Sequence, residues 1–265
     1  MTPPAPWAVV TGAARGMGAA IAINLADDGF DLVLMDGPGD DLIQAVGYSL
    51  GTAEQLADVA EQCRTRGVQV LELSGDVRDE AAIAAAIGLI PVGGLQVAVA
   101  VAGIIGTHKP AWEFTYDELV TDLSVNFHGV ANLARAAVPR LLTATPGSGR
   151  FVAVVSTAGE TGLPSLAGYV SAKHAALGYI RSMAADLGPL GVTANAVLPG
   201  STRTAMLERS AQVYGLSGAE DFAPHQRLGR LVEPAEVAAA VGWLCGPGAT
   251  AVNGAAIRVD GGFVG

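Results

Sequence analysis

The sequence predicts an α/β fold: a single domain spanning 1–265, built on a doubly wound parallel sheet of about seven strands with helices on both faces. Short apolar runs alternate with helical segments from end to end. The runs are apolar throughout, as strands covered on both faces must be. Thirty-five glycines and only 15% charged residues suit buried strands joined by tight turns.

The first strand, residues 7–11, runs into Gly12-Ala-Ala-Arg15-Gly16-Met17-Gly18 and then into a helical run, 19–26. Strand, glycine turn and helix in this order make a pyrophosphate cradle. Small residues let the backbone come close, and the free N–H groups and dipole at the helix start favour the charge. Glycines also serve plain turns, which is the competing explanation. The second strand, 31–35, delivers Asp36 eighteen residues after Gly18. A carboxylate there accepts both ribose hydroxyls and repels a 2′-phosphate, and no Lys or Arg follows in Gly37-Pro-Gly-Asp-Asp41, so NAD is expected over NADP. The alternative is that Asp36 merely starts a turn.

Residues 37–51 have no clear period where a βαβ unit needs only a short loop, and are expected to be an insertion. Thr52-Ala-Glu-Gln55 is a capping box opening a helix that ends near Gly67, and 68–73 is the third strand. Asp76 and Val77 follow it, placed to touch an adenine, with a helix cap as an equal alternative for Asp76. Residues 79–90 are a helix and 95–101 a fourth strand ending at Ala102-Gly103, where small residues let the backbone pass close to a cofactor. A second capping box, Thr115-Tyr-Asp-Glu118, starts a long helical run that reaches Leu142 and contains Asn126.

The fifth strand, 151–155, ends at Ser156, and ligands of open α/β sheets sit at such strand ends. From Tyr169 the chain is Ala-rich and free of proline, hence helical. Tyr169 and Lys173 are four apart and share a helix face. A nearby ammonium lowers a phenol from about pKa 10, so this tyrosine is expected to move protons near neutral pH. An ordinary surface pair is the other interpretation, and the serine thirteen residues upstream weighs against it. A sixth strand, 192–198, precedes a helix opened by Glu233-Pro-Ala-Glu236, and a last strand, 255–259, follows.

A net charge of -10 with scattered Lys and Arg argues against nucleic acid as a partner. No apolar run reaches the roughly 18 residues of a membrane span. The N-terminus lacks the basic and apolar regions of a secretion signal, so a cytoplasmic protein is expected. Cys63 and Cys245 read as reduced thiols, and His108, His128, His174 and His225 lack metal-ligand spacing, so no metal is expected.

Thr11-Gly-x-x-x-Gly-x-Gly18, Asp36, Asn126, Ser156, Tyr169 and Lys173 occur in one order and spacing that resembles the short-chain dehydrogenase/reductase superfamily. The resemblance covers nearly the whole chain, continuing through Pro199-Gly200-Ser-Thr202-Arg-Thr204-Ala-Met206 to Arg258-Val-Asp-Gly-Gly262. It implies a Rossmann-type fold and an NAD-dependent oxidoreductase that interconverts a secondary alcohol and a ketone. In that family Tyr169 would be the general acid/base, Lys173 would bind the nicotinamide ribose and lower the tyrosine pKa, Ser156 would hydrogen-bond the substrate oxygen, and Asn126 would hold a relay water. Gly12, Arg15, Gly16, Met17 and Gly18 would line the pyrophosphate and ribose, and Asp76 and Val77 the adenine. Ala102 and Gly103 would pass behind the nicotinamide. Pro199, Gly200, Thr202 and Thr204 would lie on its other side, with a helix cap as the alternative for Thr204.

Two departures carry expectations of their own. Ala100-Val101-Ala102-Gly103 stands where the family has Asn-Asn-Ala-Gly or Ala-Asn-Ala-Gly, so a side chain that ties the central strands together is expected to be missing. The insertion resembles the one in actinobacterial dehydrogenases of the carveol dehydrogenase type, which implies tightly held NAD and electron exchange with mycofactocin. Specificity is expected from 104–114, 160–168 and a substrate lid at about 205–227, whose Met206, Leu207, Tyr214, Leu216 and Phe222 favour a small hydrophobic alcohol or ketone. Lid packing accounts for these residues equally well. Ala-rich helices around Leu133 and Tyr169 offer smooth faces for pairing, and the resemblance implies a homotetramer or homodimer. The alternatives are a catalytically silent NAD-binding or sensing protein, which has little need for an intact Ser-Tyr-Lys set with Asn126, and an epimerase or dehydratase.

Overall fold

Seven parallel strands, in the order β3-β2-β1-β4-β5-β6-β7, form one sheet in the computed structural model, which describes residues 5–37, 42 and 46–264. They are β1 Trp7–Thr11, β2 Asp31–Asp36, β3 Val70–Ser74, β4 Leu95–Ala100, β5 Arg150–Val154, β6 Thr193–Pro199 and β7 Ala256–Val259. Every residue of β1, β5 and β6 is buried, which is why these mostly apolar runs show no regular polar alternation. Strand β1 pairs with β2 on one side and β4 on the other, so the winding reverses there and opens a crevice at the carboxyl ends.

Helices α1 Gly16–Asp27, α2 Ala53–Arg64 and α8 Pro234–Cys245 cover one face, and α3 Glu80–Gly88, α5 Gly129–Leu141 and α6 Ala167–Leu187 the other. Ile21, Leu25, Val59, Val241 and Leu244 pack on the first face; Ile83, Leu133, Leu177 and Ile180 pack on the second. No helix among the described residues is long and apolar enough to cross a membrane. Of the expected insertion, Leu42 and Val46 are buried against the second layer, while 38–41 and 43–45 lie outside the described residues.

Three expectations are refined. The run from Thr115 stays helical to Leu141 but is not α-helical throughout: α4 Tyr116–Leu123 passes through a π turn, Ser124–His128, into α5. The widened turn places the Asn126 amide to donate to the carbonyls of Ile104 and Asp122 at 3.0 Å and to accept from the Ile104 N–H at 3.1 Å. Such turns recur at functional sites. Secondly, Asp79 caps α3, accepting from Ala81 and Ala82, so the cap alternative for Asp76 does not hold. Thirdly, the side chain expected to be missing is absent at Val101, and β1 is joined to the end of β4 by the Thr11 hydroxyl, which accepts from the Val101 N–H at 3.2 Å.

Candidate active site

At the carboxyl ends of the strands lies a cavity of about 370 Å³. All the predicted cofactor residues from Gly12 to Gly103 line it, together with Thr204. Gly12 has φ +69, and a Cβ there would come within 2.6 Å of the Ala102 nitrogen. Only glycine lets the two loops close to that distance. Asp36 accepts from the Ala14 N–H at 2.8 Å and from the Gly37 N–H at 2.7 Å, one bond per carboxylate oxygen, so each oxygen keeps acceptor capacity. The Arg15 guanidinium is turned to the Ser49 carbonyl at 2.7 Å. Asp76 grips the guanidinium and the N–H of Arg78. A glycine-walled cleft ending at a carboxylate fits a dinucleotide with free ribose hydroxyls.

A second cavity of about 380 Å³ adjoins the first, and the two share Met17, Thr204 and Met206. Ser156 and Tyr169 lie on its wall among Leu163, Leu166, Tyr214 and Phe222. Pro199, Gly200 and Thr202 line this chamber rather than the nucleotide cleft. Thr204 forms the cap given as its alternative role, opening α7, Ala205–Val213, and accepting from the Leu207 N–H at 3.3 Å, while also bordering both cavities. The lid is packed, with Ala211, Ala219, Phe222 and Leu231 forming their own apolar cluster and the Tyr214 hydroxyl donating to the Pro164 carbonyl at 2.8 Å.

Ser156 follows β5, its Oγ accepting from the Ala158 N–H at 3.1 Å, and it is hydrogen-bonded to Tyr169 in the first turn of α6. Lys173, one turn on, donates to the Val154 carbonyl at 3.3 Å with its Nζ 5.6 Å from the Tyr169 ring centroid. Asn126 and Lys173 stand behind Gly103, where a Cβ would come within 2.9 Å of Asn126 Oδ1 and 3.5 Å of Lys173 Nζ. Glu160, on the loop after Ser156, is held by Arg181 at 3.2 Å and by Arg258 of β7 at 2.8 Å. These contacts draw distant parts of the chain onto the serine loop.

Proton affinities run against the expectation from spacing alone. Burial pushes the Tyr169 phenol up to about 12, opposed by the hydrogen bond from Ser156, and burial pushes Lys173 down to about 8. Both groups are largely buried, and desolvation disfavours whichever form is charged. In this structure the loss of hydration therefore outweighs any lowering of the phenol by Lys173.

Three residues near the site escape sequence reasoning. Tyr48 lies in the aperiodic segment and has no signal of its own. Asp122 has a faint one: it precedes Asn126 by four residues and so shares its helix face. Gln226, 1% exposed, donates to the Ser201 and Arg230 carbonyls and supports the segment from Pro199 to Thr204.

A family model described as Enoyl-(Acyl carrier protein) reductase matches residues 12–264. The (-)-trans-carveol dehydrogenase of Rhodococcus erythropolis is 32% identical, covering 96% of this chain and 96% of its own length. The levodione reductase of Leifsonia aquatica is 31% identical, covering 96% of this chain and 92% of its own. The crystal structure of carveol dehydrogenase from Mycobacterium avium in complex with NAD superposes with a TM-score of 0.89 at 29% identity, covering 97% of this chain and 96% of that one.

Proposed function

We propose that this chain, which belongs to the short-chain dehydrogenase/reductase family, is an NAD-dependent oxidoreductase that interconverts a secondary alcohol and a ketone on a small hydrophobic substrate. The observation that carries this is the junction of two cavities at Met17, Thr204 and Met206: one ends at Asp36, and the other is an apolar chamber with Ser156 and Tyr169 on its wall. A nucleotide in the first and an alcohol in the second would meet at that junction.

Bound NAD supplies the carbon that accepts the hydride. In oxidation, Tyr169 Oη takes the hydroxyl proton as hydride leaves the carbinol carbon, so the alcohol loses two electrons and two hydrogens in all. Ser156 Oγ donates to the substrate oxygen and holds it beside the phenol. Lys173 holds the nicotinamide ribose, and Asn126 holds the water that returns the proton to solvent. Reduction runs through the same groups in reverse. The named relatives act on carveol and levodione, and a chamber of about 380 Å³ suits a compact cyclic alcohol.

The segment 46–51 acts as a strap over the nucleotide, since Ser49 holds Arg15 and Gly51 lies against Asp36. Such a strap would hold NAD without free exchange, and the resemblance to carveol dehydrogenases implies mycofactocin as the electron acceptor. Trp112 and Tyr116 are exposed at 84% and 79% next to Val120, which supports pairing of this face in a homodimer or homotetramer. The test is mass spectrometry of the denatured protein for retained NAD, followed by turnover of carveol with added NAD or an artificial electron acceptor. Failure of both routes with carveol and a panel of cyclic alcohols would refute the proposed activity.

A further inference from the structure

Asp122 is completely buried at the end of α4, in a niche that glycines leave open. Its Oδ1 accepts from the Gly106 N–H at 3.0 Å, and its Oδ2 has no hydrogen-bond partner among the described residues. A Cβ on Gly168, the residue before Tyr169, would collide with Oδ2, and one on Gly106 would come within 2.9 Å of it. One carboxyl thus touches both the loop after β4 and the start of the helix that carries Tyr169 and Lys173. The Asp122 carbonyl also accepts from Asn126 Nδ2 at 3.0 Å.

The titratable groups facing Asp122 are Lys173 and Tyr169 from α6 and Tyr48 from the strap. Among the described residues no other carboxylate acts on Lys173. Burial pushes Asp122 up to about 7, with the Gly106 N–H and the Lys173 ammonium opposing it. A buried carboxyl with one empty oxygen is costly when ionised, so it exchanges its proton near neutrality.

We propose that Asp122 is a positioning residue for the Tyr169 and Lys173 pair, its carboxyl holding the 104–106 loop against the catalytic helix and its charge setting how readily that pair gains and loses protons. An ionised Asp122 supports the Lys173 ammonium and opposes the tyrosinate; a protonated one does neither. The inference rests on the role proposed above for Tyr169 as acid and base.

Asp122→Asn keeps the size of the side chain and an acceptor for Gly106 while removing the charge. With the NAD-loaded protein and carveol as probe, the acid limb of kcat/KM for oxidation should move to lower pH by on the order of one unit. An active D122N enzyme with an unmoved limb overturns the proposal, whatever its maximal rate. Melting temperature against pH separates the two possible failures. With a folded-state pKa near 7 and an ordinary value of 3.8, Asp122 contributes stability that is fully present below the ordinary value and is lost as pH rises to about 7, so the difference between wild type and variant should change over that window. D122N should lack this loss. If the wild type turns over no alcohol, the oxidoreductase reading fails by itself, and parallel melting profiles for the two proteins then overturn the role of Asp122 independently.

Discussion

The Tyr48 phenol oxygen accepts a hydrogen bond from the Ile105 N–H at 3.1 Å, joining two segments 57 residues apart. Its ring lies under the Arg209 guanidinium of α7, 6.0 Å from the centroid, so the strap and the lid meet on this one side chain. Tyr48→Phe keeps the ring and leaves the Ile105 N–H unpaired. Stability to urea should fall by about 1–3 kcal/mol, and an unchanged midpoint would mean that Ile105 finds another acceptor.

Tyr169→Phe should lower kcat by roughly 10²–10⁴-fold, the usual worth of a positioned acid or base, while NAD affinity stays close to wild type. The phenol is pushed up to about 12. In the proposed mechanism oxidation requires the tyrosinate, so its rate should climb through neutral and alkaline pH, and reduction, which requires the protonated phenol, should fall over the same range. Rates in both directions between pH 6 and 10 check the sign. Parallel profiles would remove Tyr169 from the proton transfer.

Asp36→Ala removes the acceptor of the Ala14 and Gly37 N–H groups as well as the carboxylate proposed to hold the ribose. Binding of NAD, followed by calorimetry on stripped protein, should weaken by about tenfold or more, at roughly 1.5–3 kcal/mol for a hydrogen bond to a charged group. Discrimination against NADP should relax in the same variant. A preserved preference would locate the selectivity elsewhere, with Arg15 the next residue to test.

Gly168→Ala drives a methyl into Asp122 Oδ2, and the buried carboxyl has nowhere to retreat. The cost should be about 1–3 kcal/mol. Combining it with Asp122→Ala frees the space, so the two losses should be strongly non-additive in a urea double-mutant cycle. Additive losses would show that the methyl is accommodated by a shift of the helix.

Features that depend on residues within one or two turns of each other were legible in the sequence. The Thr52 and Thr115 capping boxes form as their spacing predicts. The glycine turn after β1 and the carboxylate after β2 also stand where their order along the chain places them. The π turn around Asn126 was not legible, because the amide that settles there reaches Ile104, 22 residues away, and no local propensity records that partner. Tyr48 was silent for the same reason, and Asp122 was marked only by its spacing of four from Asn126.

The strands, the glycine turn and the family are written in the order of residues along the chain. How Tyr169 and Lys173 hold their protons is not. Spacing predicts an ammonium beside a phenol and hence a lowered phenol pKa, but packing strips most of the water from both groups, leaving Tyr169 pushed up to about 12 and Lys173 down to about 8 with Asp122 facing them. Ionisation follows the hydration and charge around a group, and these come from elements far apart in the chain that meet only when the sheet and its helices close.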